Sequence, residues 1–217
     1  MEQKFQLGVS AYYLPWHEIR EEMEALNECR IDLCHIDFFD GNFVDNLGLS
    51  PMDLSLAKRY TNAKVDVHMM VNRPVRFISM LADRGADIIY IHPDADPQPA
   101  ATLMEIRRHG MKAGIAIGPS MSVATVEALL PLCDYVLVLT VHPGFAGQSY
   151  LTYVNEKIFQ LIALQKQYGY QMILDGGMTE EAVRTMKPYG VGMILGTILT
   201  NGGRETYRAT LERLRAL

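Results

Sequence analysis

With 217 residues, 49% of them hydrophobic, the chain can bury one sizeable core and contains no window biased toward disorder. A formal net charge of −5 argues against a broad nucleic-acid or anionic-membrane surface, although backbone N–H groups can still hold a small phosphate. No apolar run approaches membrane-spanning length, residues 1–5 carry no signal-peptide core, and Cys29, Cys34 and Cys133 read as buried thiols of a reducing, cytoplasmic compartment.

Short apolar runs alternate with amphipathic stretches from end to end. Residues 6–11 predict a strand and 15–29 a helix, with Pro15 in a tolerated first-turn position. A second strand spans 33–38, and a long polar loop over 40–50 leads to a helix opened by Pro51. Residues 65–71 predict the third strand and 74–84 its helix. The fourth strand covers 87–92, with a helix that stops near His109-Gly110. Residues 112–117 form the fifth, followed by a helix from about Ser122. The sixth spans 135–141 and runs into Gly-rich sequence before a helix that ends near Tyr168. Residues 172–174 are the seventh, with a helix capped by Thr179; 191–195 are the eighth, and a last helix covers 205–214. The arginines of that last segment, Arg204, Arg208, Arg213 and Arg215, alternate with acids and read as a solvated face.

Eight strand–helix units with continuous apolar strands imply a parallel sheet covered on its outside by helices. The expected fold is therefore α/β, a single-domain (β/α)8 TIM barrel over residues 1–217, with a doubly wound open sheet as the alternative. In such barrels the loops after the strands carry the chemistry. The polar motifs fall there.

In Cys34-His35-Ile36-Asp37 the two-residue strand repeat puts His35 and Asp37 on one face at a strand's end. His68 lies in a third-strand run of similar kind, and Asp175 meets Gly176-Gly177 after strand seven. Two histidines and two aspartates suit a borderline divalent cation such as Zn²⁺, Mn²⁺ or Fe²⁺; hydrogen-bonded polar residues in a barrel mouth are the plainer reading. Glycines in the loops after strands six, seven and eight (Gly144, Gly147, Gly177, Gly196), together with Thr197, suggest an anion cradle, unless they only make tight turns. Cation and cradle would lie at opposite sides of one mouth, which suits a phosphorylated sugar. Asp37 and Asp175, on strands expected roughly across the barrel, could then address both faces of a C–H beside a carbonyl, as a two-base proton transfer requires. Met69, Met70 and Phe39 form an apolar wall or ordinary core. Asp66 and His92 read as hydrogen-bonding supports for the cation ligands.

His35-Ile36-Asp37-x-x-Asp40-Gly41-x-Phe43-Val44, Asp66-Val67-His68-x-Met70-Val71, Val141-x-Pro143-Gly144-Phe145-x-Gly147-Gln148 and Asp175-Gly176-Gly177 together resemble the ribulose-phosphate 3-epimerase family, in family order and over nearly the whole chain. The resemblance implies a barrel that inverts C3 of a ketose phosphate through an enediolate. It places one divalent metal per chain, Zn²⁺ first and Mn²⁺, Fe²⁺ or Co²⁺ as alternatives, on His35, Asp37, His68 and Asp175, with Asp37 and Asp175 as acid and base. It also implies substrate contacts at Ser10, His68 and Met70, and phosphate contacts at Gly144, Phe145, Ala146, Gly147, Gly177, Gly196 and Thr197. A homo-oligomer, dimer or hexamer, is the usual assembly. Val9, Phe39, Leu139, His142 and Ala146 depart from the usual pattern, while Asn46-x-x-Leu49-Ser50-Pro51 and His92-Pro93-Asp94 look closer to the allulose-6-phosphate 3-epimerase branch. The default pair is D-ribulose 5-phosphate and D-xylulose 5-phosphate; the alternatives are the D-allulose 6-phosphate/D-fructose 6-phosphate pair and a non-catalytic phosphosugar-binding barrel. An aldolase or decarboxylase is disfavoured, because Lys64 and Lys112 stand at strand starts.

Overall fold

The computed structural model describes residues 4–217; residues 1–3, part of the stretch read for a signal peptide, lie outside it. Eight parallel strands close into one barrel in chain order. They are β1 (Leu7–Ser10), β2 (Leu33–Phe39), β3 (Lys64–Met70), β4 (Ile88–Ile91), β5 (Lys112–Ile117), β6 (Tyr135–Leu139), β7 (Gln171–Asp175) and β8 (Gly192–Leu195). Closure is made by β1, which pairs with β2 on one side and with β8 on the other. The open-sheet alternative is excluded. Among the described residues no helix is long and apolar enough to cross a membrane, and the three cysteines are buried and free.

Strand parity sorts each strand into two cores. On β2, Cys34, Ile36 and Phe38 face the outer layer, where they join the large cluster between sheet and helices. Leu33 faces inward with Ile88, Tyr90, Leu137, Ile173 and Ile194 and fills the barrel's floor. His35 and Asp37 share Leu33's side of the pleat, so the repeat that buries Leu33 carries both polar groups into the interior above it. The ring of Tyr90 is accommodated by Gly114 on β5, where an added Cβ would lie 2.7 Å from Tyr90 Cδ1.

The helices are α1 (Ile19–Glu28), α2 (Pro51–Tyr60), α3 (Ile78–Asp83), α4 (Pro99–Arg108), α5 (Val123–Val126), α6 (Asn155–Tyr168), α7 (Glu180–Met186), α8 (Thr197–Thr200) and α9 (Tyr207–Ala216). Three helices expected as single pieces begin or continue as tighter 3-10 turns: Trp16–Glu18 before α1, Pro74–Phe77 before α3 and Glu127–Leu132 after α5. The Thr179 cap is present, its side chain accepting from Ala182 N–H at 3.1 Å. The short α8, directly after β8, was not expected. The arginines near the C-terminus are not merely a solvated face. Arg204 pairs with Glu18 and the buried Glu22, and Arg215 donates to the carbonyls of Cys29 (2.8 Å) and Arg30 (2.6 Å), which ties the last elements to the first.

The floor carries a repeated register lock. Asp32, Asp87 and Asp134 each immediately precede an even-numbered strand, and each carboxylate accepts the N–H of a residue at or near the start of the preceding strand. The donors are Leu7 (3.0 Å), Val65 (2.7 Å) and Ala113 (3.0 Å). Each of these aspartates also donates its own N–H back to that residue's carbonyl. The corresponding position before β8 is Val191, so the fourth lock is missing. Asp134 is further held by Arg107 (3.2 Å) and Lys112 (3.1 Å). Asp134→Ala strands the Ala113 N–H and should cost about 1–3 kcal/mol. Thermal unfolding should report this as a Tm several degrees lower, at about 2–4 °C per kcal/mol for a chain of this size. A Tm equal to that of the parent would show that the lock contributes nothing.

Candidate active site

Pairing between β2 and β3 sets the centre of the mouth, because it aligns His35 with Asp66 and Asp37 with His68. Asp175 ends β7, opposite Leu139 of β6. One ligand-type atom from each of His35, Asp37, His68 and Asp175 lies within 4.8 Å of all the others. The strands that carry the two aspartates, β2 and β7, lie roughly across the barrel as expected, with β8 and β1 between them on the shorter side. The side chains converge because both lean inward from the strands' C-terminal ends.

Each imidazole is oriented from behind. His35 Nδ1–H donates to the fully buried Asp66 carboxylate at 2.6 Å. That leaves His35 Nε2 buried with no hydrogen-bond partner, 3.4 Å from Asp37 Oδ1 and 3.8 Å from Asp175 Oδ2. His68 turns the other nitrogen inward: Nδ1 lies 3.3 Å from Asp37 Oδ1 and 3.7 Å from Asp175 Oδ2. Its Nε2 meets His92 Nε2 at 2.8 Å, and the Phe43 ring packs against His92 with centroids 4.7 Å apart and a tilt of 40°. Asp66 and His92 thus act as the supports expected of them. Ser10 Oγ–H donates to Asp37 Oδ2 at 2.8 Å, which leaves Oδ1 for the centre.

The same packing drives the two aspartates apart electrostatically. Burial lifts the Asp175 carboxyl to about 6, with His35 opposing and Asp37 reinforcing the rise. Asp37 is buried too, yet the electrostatic pull of the His35 and His68 imidazoles, 3.4 Å and 3.3 Å away, holds it below the usual carboxylate range. Burial would lower His35, but Asp66 and Asp37 raise it well above an ordinary imidazole. Burial, assisted by His68, pushes His92 well below one. A neutral His92 is the acceptor that a His68 Nε2–H needs if His68 Nδ1 is to present a lone pair.

The donor set suits a divalent transition ion. It offers two nitrogens and two oxygens, two negative charges, an orphaned inward nitrogen on His35 and a fixed tautomer behind each imidazole. The nitrogen-to-oxygen separations of 3.3 to 3.8 Å are short enough for the four groups to hold one small cation between them.

Around this centre lies a cavity walled by Tyr12, Phe39, Met70, Leu139, His142, Gly144, Phe145 and Ala146 among others. A second cavity adjoins it and contains Gly147, Gly177, Gly196 and Thr197. Ser10, Tyr13, Asp175 and Gly176 line both. The residues expected to form the anion cradle are divided between the two: Gly144, Phe145 and Ala146 line the first cavity, and Gly147, Gly177, Gly196 and Thr197 the second. The loop after β6 is fixed by Gln148, whose amide donates to the carbonyls of His142 (2.7 Å) and Phe145 (2.8 Å), and by Asn46, which donates to Gly144 O at 2.6 Å. Thr140 O–H binds the carbonyls of Asp175 and Gly176 and so ties this loop's root to the end of β7. Gly177, at φ +62°, passes so close to the loop that an added Cβ would lie 2.6 Å from Tyr150 N. Sequence reasoning overlooked Tyr12, Tyr13 and Thr140. For the two tyrosines the available signal was their place directly after the Ser10 strand end.

The sequence matches the family model described as the ribulose-phosphate 3 epimerase family over residues 8–199. It is 36% identical to a ribulose-phosphate 3-epimerase of Synechocystis sp. over 162 residues, 73% of this chain and 70% of the relative. It is 30% identical to the enzyme of that name from Bacillus subtilis, covering 88% of this chain and 89% of the relative. The corresponding Rhodobacter capsulatus protein is 32% identical, with 90% and 87% covered. In fold the chain is similar to a crystal structure of 3-hexulose-6-phosphate synthase (TM-score 0.70, 15% identity, 98% and 99% covered). It is also similar to phosphoribosyl anthranilate isomerase from Thermus thermophilus (TM-score 0.67, 13% identity, 98% and 99% covered).

Asp66→Asn removes the acceptor charge that holds His35 Nδ1–H. Metal affinity, read by equilibrium dialysis with Zn²⁺ or Mn²⁺, should fall about 10–100-fold. An unchanged affinity would mean that Asp66 does not orient a metal ligand.

Proposed function

The chain belongs to the ribulose-phosphate 3-epimerase family and is an isomerase; from that premise we propose that its barrel mouth interconverts D-ribulose 5-phosphate and D-xylulose 5-phosphate by two-base proton transfer at C3. The observation that carries this reading is the pair Asp37 and Asp175: two carboxylates converging on one centre in unlike environments, one held ionised and the other raised to about 6. Asp37, with Oδ2 held by Ser10, takes the C3 proton from one face. Asp175, anchored through Thr140 at its backbone, returns a proton to the opposite face. In the reverse direction the two exchange roles. Planarity at C3 in the enediolate lets one arrangement serve both epimers. Phe39, Met70 and Leu139 keep the wall apolar, so the transferred proton competes with little water.

His35, Asp37, His68 and Asp175 would hold one divalent ion, with Zn²⁺ the first choice for a nitrogen and oxygen set. When bound, such an ion supplies a Lewis-acid charge that offsets the negative charge developing on the substrate oxygens. The second compartment, where Gly147 stands against Tyr13, would take the phosphate through the backbone N–H groups of Gly177, Gly196 and Thr197. Binding by Gly144, Phe145 and Ala146 belongs to the same reading, as do one domain, a cytoplasmic location and assembly as a dimer or hexamer. The six-carbon pair, D-allulose 6-phosphate and D-fructose 6-phosphate, is the second reading. It is favoured by the His92-Pro93-Asp94 segment, which supports His68 here, and by Asn46, which joins the loops after β2 and β6.

Chelation should abolish turnover of D-ribulose 5-phosphate, and Zn²⁺, Mn²⁺ or Co²⁺ should restore it. Asp175→Asn keeps a ligating oxygen but cannot relay a proton, and should lower kcat by about 10²–10⁴-fold. Full activity in metal-free protein, or an active Asp175→Asn variant with its metal bound, would contradict the assignment.

A further inference from the structure

Tyr13 stands between the two compartments of the mouth. Its ring lies flat enough against the β8 end that an added Cβ at Gly196 would fall 2.8 Å from Cε2. Its hydroxyl accepts the Gly147 N–H at 3.0 Å. One side chain thus reaches from just beyond β1 to two of the three glycine-bearing loops of the second compartment, those after β6 and β8, and it also lines the cavity that holds Asp37 and His68. It is only half-buried, and it lines both cavities.

This placement changes what the second compartment offers. The Gly147 amide, which would otherwise face an incoming anion, is already spent on Tyr13. A phenol has one proton and two acceptor positions, so with the amide on a lone pair its O–H remains free to donate. The chain Gly147 N–H to Tyr13 Oη–H to anion also polarises the hydroxyl and makes it a better donor than an isolated phenol. The anion then rests on the hydroxyl, one group nearer the reacting centre than the amide itself would hold it.

On the reading that this mouth epimerises a ketose phosphate, we infer that Tyr13 sets the chain length of the sugar by shortening the span between the reacting carbon and the phosphate cradle. The ring forms the partition and the hydroxyl the donor, matched to the five-carbon substrate. Removing the hydroxyl frees the Gly147 amide, and removing the ring joins the two compartments. Both changes lengthen the span in favour of a sugar with one more carbon. Gly196 serves the same arrangement, because any side chain there would displace the ring.

The test measures kcat and KM of the metal-loaded enzyme for D-ribulose 5-phosphate and D-allulose 6-phosphate, in the parent, Tyr13→Phe and Tyr13→Ala. For the five-carbon sugar, Tyr13→Phe should raise KM about tenfold or more, the loss of one donor to a charged group, with a smaller change in kcat. In Tyr13→Ala the ratio of kcat/KM values should move toward the six-carbon sugar by about tenfold, the scale of discrimination for one carbon unit. Metal content by elemental analysis and thermal unfolding separate a misfolded variant from a re-specified one, and Tyr13→Phe preserves the packing of the ring. A parent active on either sugar whose ratio is the same in both variants would overturn the inference and leave the epimerase reading intact. A parent active on neither sugar would remove that reading, and the inference with it.

Discussion

The hydrogen bond from His35 Nδ1 to Asp66 is the contact on which the site depends. Both groups are fully buried, and neither could remain there without the other, since a lone carboxylate or imidazolium in the barrel interior would carry an uncompensated desolvation cost. The pairing of β2 with β3 places them side by side. Their bond fixes which nitrogen of His35 faces upward, so Nε2 meets the two carboxylates above it. His68 Nδ1, Asp37 Oδ1 and Asp175 Oδ2 gather around that atom. The unlike proton affinities of the two aspartates follow, because Asp37 sits between the imidazoles while Asp175 is dominated by burial.

Much of this was legible in the sequence, for a geometric reason. A strand repeats every two residues, so Cys34-His35-Ile36-Asp37 states outright that the two polar groups share a face, and the apolar flanks state that the face is enclosed. Eight such runs, each followed by a helix, left little besides a closed parallel barrel. Less legible were features decided by partners distant in the chain. That His68 offers Nδ1 follows from His92, 24 residues on. That Tyr13 divides the mouth follows from Gly147, 134 residues on, and from the absence of a side chain at Gly196. Arg204 and Arg215 alternate with acids as a solvated face would, yet they meet carboxylates and carbonyls of the first helical segment. No local pattern encodes these choices.

The floor and the mouth divide the labour along the strands. At the N-terminal ends, Asp32, Asp87 and Asp134 hold neighbouring strands in register through backbone amides. At the C-terminal ends, carboxylates of the same kind turn inward and are kept from pairing with the backbone. The same residue type is structural at one end and chemical at the other. What differs is whether a strand-start N–H lies within reach. A rigid floor also explains how four polar groups can be held close together: their strands are already fixed, and only the side-chain torsions remain to be set.

Proton exchange at C3 tests the central claim most directly. The metal-loaded protein, incubated with D-ribulose 5-phosphate in D₂O and followed by proton NMR, should lose the C3–H signal as D-xylulose 5-phosphate appears, with deuterium at C3 and at no other carbon. If the protein binds its metal and the sugar but leaves the C3–H signal undiminished, Asp37 and Asp175 do not form a proton-transfer pair and the account is wrong.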